Sequence, residues 1–91
     1  MSEGSAFELV LTAPAVRVIQ TRLPEAVAAA AIEFMTGPLV DDPYRVGGQL
    51  RRELSGLWSA RRGTYRILYR INDDAREAVV IKIDHRRDVY R

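Results

Sequence analysis

Residues 57–84, LWSARRGTYRILYRINDDAREAVVIKID, decide the fold. Apolar and polar side chains alternate over residues 65–71, which is the pattern of a strand with one buried face. Turn-forming residues stand on either side of that strand, at Arg62-Gly63 and at Asn72–Asp74. With a strand expected over 57–61 and another over 79–83, the stretch predicts three consecutive antiparallel strands.

The residues before this stretch predict one strand and two helices. Residues 7–11 are β-prone, and apolar residues recur at helical spacing over 16–23. A second, alanine-rich helix is predicted over 25–35, with Gly37-Pro38 as its stop. Residues 38–54 form a long connection, and a connection of this length is either a functional loop or contains a helical turn. The sequence therefore predicts an α+β fold in which two N-terminal helices pack on one face of a small, mainly antiparallel four-stranded sheet.

Length and composition indicate one small domain spanning residues 1–91, since 47% of these residues are hydrophobic. The absence of cysteine excludes disulfides and thiolate metal sites and favours a reducing compartment. The longest apolar run, residues 26–32, is far shorter than the ~20 residues that span a bilayer. We therefore expect a cytoplasmic domain without a membrane partner.

Positive charge is concentrated in the C-terminal part of the chain. Residues 57–91 contain nine cations and five acids, whereas residues 1–56 contain five cations and seven acids. Nearly all of the cations are arginines, whose planar guanidinium binds phosphate through two parallel hydrogen bonds. This distribution favours a nucleic acid or an acidic protein as partner.

Strand alternation predicts which side chains share a face of the sheet. From the two turns, Ser59 is expected opposite Arg66, and Arg66 opposite Lys82. The face expected to pack against the helices contains Trp58, Ala60, Tyr65, Ile67, Tyr69, Val79, Ile81 and Ile83. The other face contains Ser59, Arg61, Arg66, Arg70, Lys82 and Asp84, with Arg86 next by parity. Its surplus of cations is compatible with ordinary solvation or with phosphate binding.

Few residues offer other catalytic chemistry. His85 is the only histidine, and the adjacent Asp84 is expected on the opposite face of a strand, so no nucleophile–histidine–aspartate triad can form. The paired acids Asp41-Asp42 and Asp73-Asp74 are typical of turns rather than of metal ligands. We therefore expect no metal and no cofactor, and a basic cluster that stabilises charge developing on a phosphate.

Two motifs resemble the RelE family of toxins from type II toxin–antitoxin systems, in the form common in actinobacteria. They are GLWSARRGTYRILYRI at residues 56–71 and IDHRRDVYR at residues 83–91. The segment PYRVGGQL at 43–50 and the Leu23-Pro24 junction also fit this family within the RelE/ParE superfamily. The resemblance covers nearly the whole chain and implies a microbial-RNase-like fold. It also implies a metal-independent endoribonuclease that cuts mRNA in the ribosomal A site and inhibits translation.

The same resemblance implies roles for individual residues. The family's phosphate-stabilising arginine falls on Arg66, an arginine after the last strand falls on Arg86, and the C-terminal tyrosine falls on Tyr90. Further RNA or phosphate contacts are expected from Ser59, Arg61, Arg62, Lys82 and His85. The 2′-hydroxyl of the RNA would attack the adjacent phosphate, and Tyr90, His85 or the RNA itself would move the protons.

The implied partners are the ribosome with its rRNA, the mRNA, and a RelB-like antitoxin; operator DNA would be reached only through the antitoxin. Two alternatives remain open. One is a ParE-like toxin that inhibits gyrase, which the joint presence of Arg66, Arg86 and Tyr90 disfavours. The other is a weakly active or non-toxic homologue that binds antitoxin, because the family's paired lysines correspond to Leu57 and Ser59 here. Arg61 or Arg62 would then have to supply their charge.

Overall fold

The computed structural model describes residues 6–85, except for the side chain of Glu53. The strands are β1 (Glu8–Leu11), β2 (Gly48–Gln49), β3 (Trp58–Arg62), β4 (Tyr65–Asn72) and β5 (Glu77–His85), and the helices are α1 (Ala13–Thr21) and α2 (Glu25–Phe34). The sheet order is β1-β5-β4-β3-β2, with β1 parallel to β5 and every other pair antiparallel. The α+β class is confirmed, with five described strands rather than the four predicted.

The segment 38–54 contains regular structure, including the helical turn that was one of its two alternatives. It begins inside a π-helical turn, Met35–Leu39, then contains β2 and ends in a short 3-10 turn. Gly37 and Pro38 do not stop the helical segment, because the first and last side chains of the wider turn are fully buried and anchor it to the core. Strand β2 pairs with β3 and supplies the fifth strand.

The core lies between the helices and one face of the sheet. Its fully buried members come from both layers: Ala15, Ala31, Met35, Leu39, Ala60, Ile67, Tyr69, Ala78 and Val80. Tyr65 is also buried, and its hydroxyl donates a hydrogen bond to the carbonyl oxygen of Ala30 at 3.3 Å. This contact ties β4 to α2, so the opposite face of β4 is turned away from the helices.

The β3–β4 pairing keeps the predicted faces and changes the predicted partners. Arg61 lies opposite Arg66, and Ser59 lies opposite Leu68. The cause is the turn, which consists of Gly63 and the residue after it; Gly63 has a φ of +57°, a conformation that favours glycine. Because this moves each partner by two residues, every side chain stays on its predicted face.

A bulge in β5 changes which of its side chains are buried. The β4–β5 ladder skips Ile81, and the alternation of inward and outward side chains reverses there. Ala78 and Val80 therefore occupy the core, and the prediction that Val79 and Ile81 do so is wrong, since both are only partly buried. Beyond the bulge the predicted alternation is restored.

The buried hydroxyl of Tyr69 makes the protein less stable at alkaline pH. Its hydroxyl donates a hydrogen bond of 2.6 Å to the carbonyl oxygen of Pro43, and burial raises the pKa of Tyr69 from 10.0 to about 12. Since the folded pKa lies above the unfolded one, this stabilisation is complete below pH 10 and is lost between pH 10 and 12.

We expect the free energy of unfolding to fall by about 2 kcal/mol over that interval. Urea titrations at successive pH values would measure the fall. In a Tyr69→Phe variant, which has no hydroxyl to titrate, the loss should be much smaller; an equal loss would assign the effect to other groups.

Candidate nucleic-acid interface

The face of the sheet that is turned away from the helices carries most of the described candidate residues. We call it the outer face and define it by Ser59, Arg61, Arg66, Leu68, Arg70, Lys82 and Asp84. These side chains project from three adjacent strands, β3, β4 and β5. Four of the seven are cations and one is an acid, so the outer face has an excess of positive charge.

Two rows of side chains cross the outer face. One row contains Arg61, Arg66 and Asp84, and the other contains Ser59, Leu68 and Lys82. Side chains directly opposite each other on antiparallel strands have Cβ atoms about 5 Å apart. The guanidinium groups of Arg61 and Arg66 can therefore reach the same phosphate. Asp84, opposite Arg66 on β5, offsets part of the repulsion within this like-charge pair, and a phosphate bound by both arginines would offset it further.

Asp84 is the one acid among the seven residues that define the outer face, and Glu77 lies beyond them on the same side of β5. Its Oδ1 atom lies 3.7 Å from Nζ of Lys82, and the two side chains are 41% and 58% exposed. An ion pair this exposed contributes little to stability. Lys82 can therefore exchange Asp84 for a phosphate at little cost.

Arg62, a predicted phosphate contact, points to the other side of the sheet from Arg61. Its guanidinium carbon lies 4.6 Å from the centre of the Phe34 ring, and its Nη2 atom donates a hydrogen bond of 3.2 Å to the carbonyl oxygen of Val46. A cation held over an aromatic ring adds to stability even at a partly exposed site. The contacts therefore join β3 to α2 and to the segment before β2.

The two neighbouring arginines provide a matched pair for a test of stability. We expect Arg62→Ala to lower the free energy of unfolding by about 1 kcal/mol, because it removes one ring contact and two partly exposed hydrogen bonds. Arg61→Ala should change it by less than about 0.5 kcal/mol, since that side chain is exposed on the outer face. Urea denaturation of both variants measures the difference. Equal losses would contradict the assignment of Arg62 to a structural contact.

His85, the other predicted contact on β5, is not brought to the outer face. Only 6% of it is exposed, and its Nε2 atom lies 3.1 Å from Oγ1 of Thr64 in the β3–β4 turn. The hydrogen bond connects the end of β5 to that turn. Arg86 and Tyr90, the remaining predicted catalytic residues, lie outside the described residues.

A groove of about 510 Å³ lies between α1 and the C-terminal half of β5. Its surface is mainly apolar, and three of the residues that line it are charged: Pro14, Val18, Arg22, Ile81, Lys82, Ile83 and Asp84. Lys82 and Asp84 belong to both the groove and the outer face, so the two surfaces are continuous. Within residues 6–85, no helix is long and apolar enough to cross a membrane, and no three histidine or carboxylate side chains are grouped as metal ligands would be.

Comparison with known proteins identifies the family. Residues 13–90 match the family model of the ParE toxin of the type II toxin–antitoxin system parDE. Toxin RelG of Mycobacterium tuberculosis is 54% identical over 70 residues, which are 77% of this chain and 80% of RelG. The chain belongs to the RelE/ParE superfamily of toxins. Toxin RelE of the same organism is 46% identical over 91 residues, which are 100% of this chain and 93% of RelE.

The fold agrees with that assignment. The toxin superimposes on a chain of the toxin–antitoxin complex RelBE2 from Mycobacterium tuberculosis with a TM-score of 0.86 and 47% sequence identity. The match covers 89% of this toxin and 99% of that chain. The predicted family and the predicted RelE-type fold are therefore confirmed.

Two residues of the outer face were absent from the predicted contacts. Arg70 is exposed and lies on the same face of β4 as Arg66, while Leu68 is a partly exposed apolar side chain between them. The alternation of the YRILYR segment already contains this information, because residues 66, 68 and 70 share one parity. The family motif alone draws attention to Arg66 only.

Proposed function

We propose that this toxin is a cytoplasmic, ribosome-dependent endoribonuclease that cuts mRNA in the A site and thereby inhibits translation. The observation that carries the proposal is the pairing of Arg61 with Arg66 on an exposed, positively charged sheet face. Two adjacent guanidinium groups can hold one phosphate in a fixed orientation through charge-assisted hydrogen bonds. Its likeness to the RelE and RelG toxins supports the same class of activity.

The chemistry proposed for this face is transfer within the RNA chain. The 2′-oxygen forms a bond to the adjacent phosphorus, the bond from phosphorus to the 5′-oxygen breaks, and a cyclic phosphate and a 5′-hydroxyl result. Arg66 stabilises the charge that develops on the phosphate, with Arg61 beside it and Arg86 as a further donor. No metal is needed for these steps. Tyr90 or the RNA itself moves the protons from the 2′-oxygen and to the 5′-oxygen.

Dependence on the ribosome follows from the kind of groups that the outer face provides. Arginine keeps its proton and is a poor base, so a surface built from Arg61, Arg66 and Arg70 can hold a phosphate and cannot strongly activate a hydroxyl. Much of the acceleration must then come from orienting the RNA for in-line attack. The ribosome supplies that orientation by presenting one codon of the mRNA in a fixed conformation.

The experiment that tests this function adds the purified toxin to a cell-free translation reaction and maps the 5′ ends of the mRNA fragments. Cuts in phase with codons are the expected result, with little cutting of the same mRNA in the absence of ribosomes. Efficient cutting of free mRNA would overturn the ribosome-dependent mechanism. Absence of cuts, without any effect on growth when the toxin is expressed, would favour the weakly active homologue.

Gyrase inhibition is the second candidate, and the match of residues 13–90 to the ParE toxin family favours it. In that case the toxin would bind a protein target and would have no nuclease activity. DNA damage in cells that express the toxin, together with intact mRNA, would support this function. The pair formed by Arg61 and Arg66 would then have no phosphate to hold, which is why we rank gyrase inhibition second.

A RelB-like antitoxin is the proposed protein partner, because the similar Mycobacterium tuberculosis chain was solved in a toxin–antitoxin complex. Operator DNA would be bound only through that antitoxin. The apolar groove between α1 and β5 offers an area for burial, and the adjacent outer face offers positive charge. Affinity would come mainly from apolar contacts, since exposed ion pairs contribute little.

Association with this antitoxin should depend strongly on salt. Complementary charge speeds the encounter of two proteins, whereas buried apolar contacts determine how slowly they separate. We expect a rise from low to physiological ionic strength to slow association by about tenfold and to change dissociation by less than about twofold. Stopped-flow measurements of both rate constants across a salt series test this. An association rate that does not respond to salt would show that the antitoxin first contacts another surface.

A further inference from the structure

The outer side of β4 carries two residues, Leu68 and Arg70, that have no role in the proposed phosphate site. Arg66, Leu68 and Arg70 occupy every second position of the strand and project from the same face; we call these three residues the β4 ladder. At about 3.3 Å per residue, the Cα atoms of Arg66 and Arg70 are about 13 Å apart, with Leu68 midway. A short extended stretch of single-stranded RNA can bring phosphates to both arginines and a base to the middle position.

Leu68 has no structural reason to be apolar. It is partly exposed, it is not among the side chains that pack against the core, and its neighbours across the strands are Ser59 and Lys82. An apolar side chain surrounded by polar and cationic groups is a poor surface for water and a good one for the flat face of a base. Its position between two arginines matches the order phosphate, base, phosphate.

Arg70 is likewise free to bind an anion. It is exposed and lies directly opposite Val79, while the nearest acid on that side of β5, Glu77, lies one pair further along, opposite Asn72. Among residues 6–85, no side chain forms an ion pair with it. Its guanidinium can therefore hold a phosphate without first losing a protein partner, which makes the full charge-assisted hydrogen bond available to RNA.

We infer that the mRNA runs along β4, with Arg70 binding a second phosphate and Leu68 contacting the base between the two phosphates. The inference rests on the proposed RNA cleavage and extends it, because it adds a path for the RNA along β4 and two residues that contact it. Arg66 contacts the phosphate that reacts. Arg70 and Leu68 position the flanking nucleotide and take no part in the bond changes.

The test uses a single-stranded RNA probe in which every 2′-hydroxyl is methylated, so that it can bind and cannot be cut. Fluorescence anisotropy measures its dissociation constant across a salt series. Arg70→Ala should weaken binding by about tenfold at low salt, as expected for one charge-assisted hydrogen bond. It should also reduce the slope of log K against log[salt] by about 0.7. The control, Arg17→Ala, removes the same charge from the exposed side of α1 and should change affinity by less than about twofold.

Leu68 is tested by changing the size of its side chain without changing charge. Leu68→Ala should weaken binding by about threefold, and Leu68→Tyr should tighten it by a similar factor, because an aromatic ring stacks on any base. Neither variant should change the salt slope. A Leu68→Tyr variant that binds no better than Leu68→Ala would overturn the role of Leu68.

Two outcomes would overturn the role of Arg70 while leaving the proposed function intact. One is an equal effect of Arg70→Ala and Arg17→Ala on RNA binding when Arg66→Ala still abolishes cleavage of translated mRNA. The other is weakened antitoxin binding by Arg70→Ala with unchanged RNA binding, which would assign the ladder to the protein partner. If Arg66→Ala cleaves translated mRNA as well as the unaltered toxin does, the proposed function itself fails.

Discussion

Arg66→Ala should lower the cleavage of translated mRNA by about a thousandfold, since one guanidinium that stabilises developing charge on a phosphate is worth that much or more. The variant should fold normally. Arg66 is exposed on the outer face, and it lies between the like-charged Arg61 on β3 and the acid Asp84 on β5. Its removal therefore costs no core contact, and the lost attraction to Asp84 is offset by relief of the repulsion from Arg61.

The measurement is the rate of mRNA cutting in a cell-free translation reaction, with a urea titration of each variant as the control for folding. Arg66→Lys should keep part of the activity, because it keeps the charge and loses the planar fork that binds two phosphate oxygens. Arg17→Ala should cut at the normal rate. A folded Arg66→Ala variant that cuts normally would remove Arg66 from the catalytic group, and one that fails to fold would contradict its position on the outer face.

The faces of the sheet could be predicted from the sequence because they depend on local alternation. In β4 the period-two pattern is uninterrupted, and every one of its predicted inward and outward positions is correct. Partners across strands depend on where each turn begins, which is a finer detail. A turn one residue further along than predicted, with Gly63 at positive φ, moved Arg66 from opposite Ser59 to opposite Arg61. This shift created the arginine pair on which the proposed function depends.

The bulge at Ile81 has no local signal in the sequence. Residues 79–81 are Val-Val-Ile, which are equally suited to either face of a strand, so alternation cannot show where the pattern slips. Packing against the helices decides the burial of Val80 instead of Val79. A similar argument applies to residues 35–39, where buried ends of the turn outweigh the local preference of Gly37 and Pro38 to end a helix.

In the candidate site, too, local alternation could be predicted from the sequence and contacts between distant residues could not. Arg61 and Arg62 are chemically identical neighbours in one strand. Strand alternation predicts that one points outward and the other inward, which composition cannot show. The contact of His85 with Thr64 joins residues that are distant in sequence and could not be predicted from either neighbourhood. Arg86 and Tyr90 lie outside the described residues, and their roles stay predictions.

Gly47→Ala should destabilise the toxin by about 3 kcal/mol, which is the largest stability change that we expect from adding one methyl group. A Cβ atom at Gly47 would overlap the hydroxyl of Tyr69 and would lie 2.7 Å from the carbonyl oxygen of Ser59. The Ser59 carbonyl belongs to β3 and cannot move without disturbing the sheet. Displacing the Tyr69 hydroxyl would also break its hydrogen bond to the carbonyl oxygen of Pro43. Overpacking and a lost buried hydrogen bond each cost about 1–3 kcal/mol.

The adjacent glycine provides a matched control for this substitution. A Cβ atom at Gly48 would meet no atom within 4 Å, so Gly48→Ala should change the free energy of unfolding by less than about 0.5 kcal/mol. Urea denaturation of the two variants measures the contrast. Adding Tyr69→Phe to Gly47→Ala should cost less than the sum of the two single changes, because the phenylalanine removes one of the two atoms that the new methyl group meets. Equal stability of the Gly47→Ala and Gly48→Ala variants would contradict the close approach of the segment before β2 to Tyr69. Such a result would mean that Gly47 lies further from the Tyr69 hydroxyl and the Ser59 carbonyl oxygen than the structure places it.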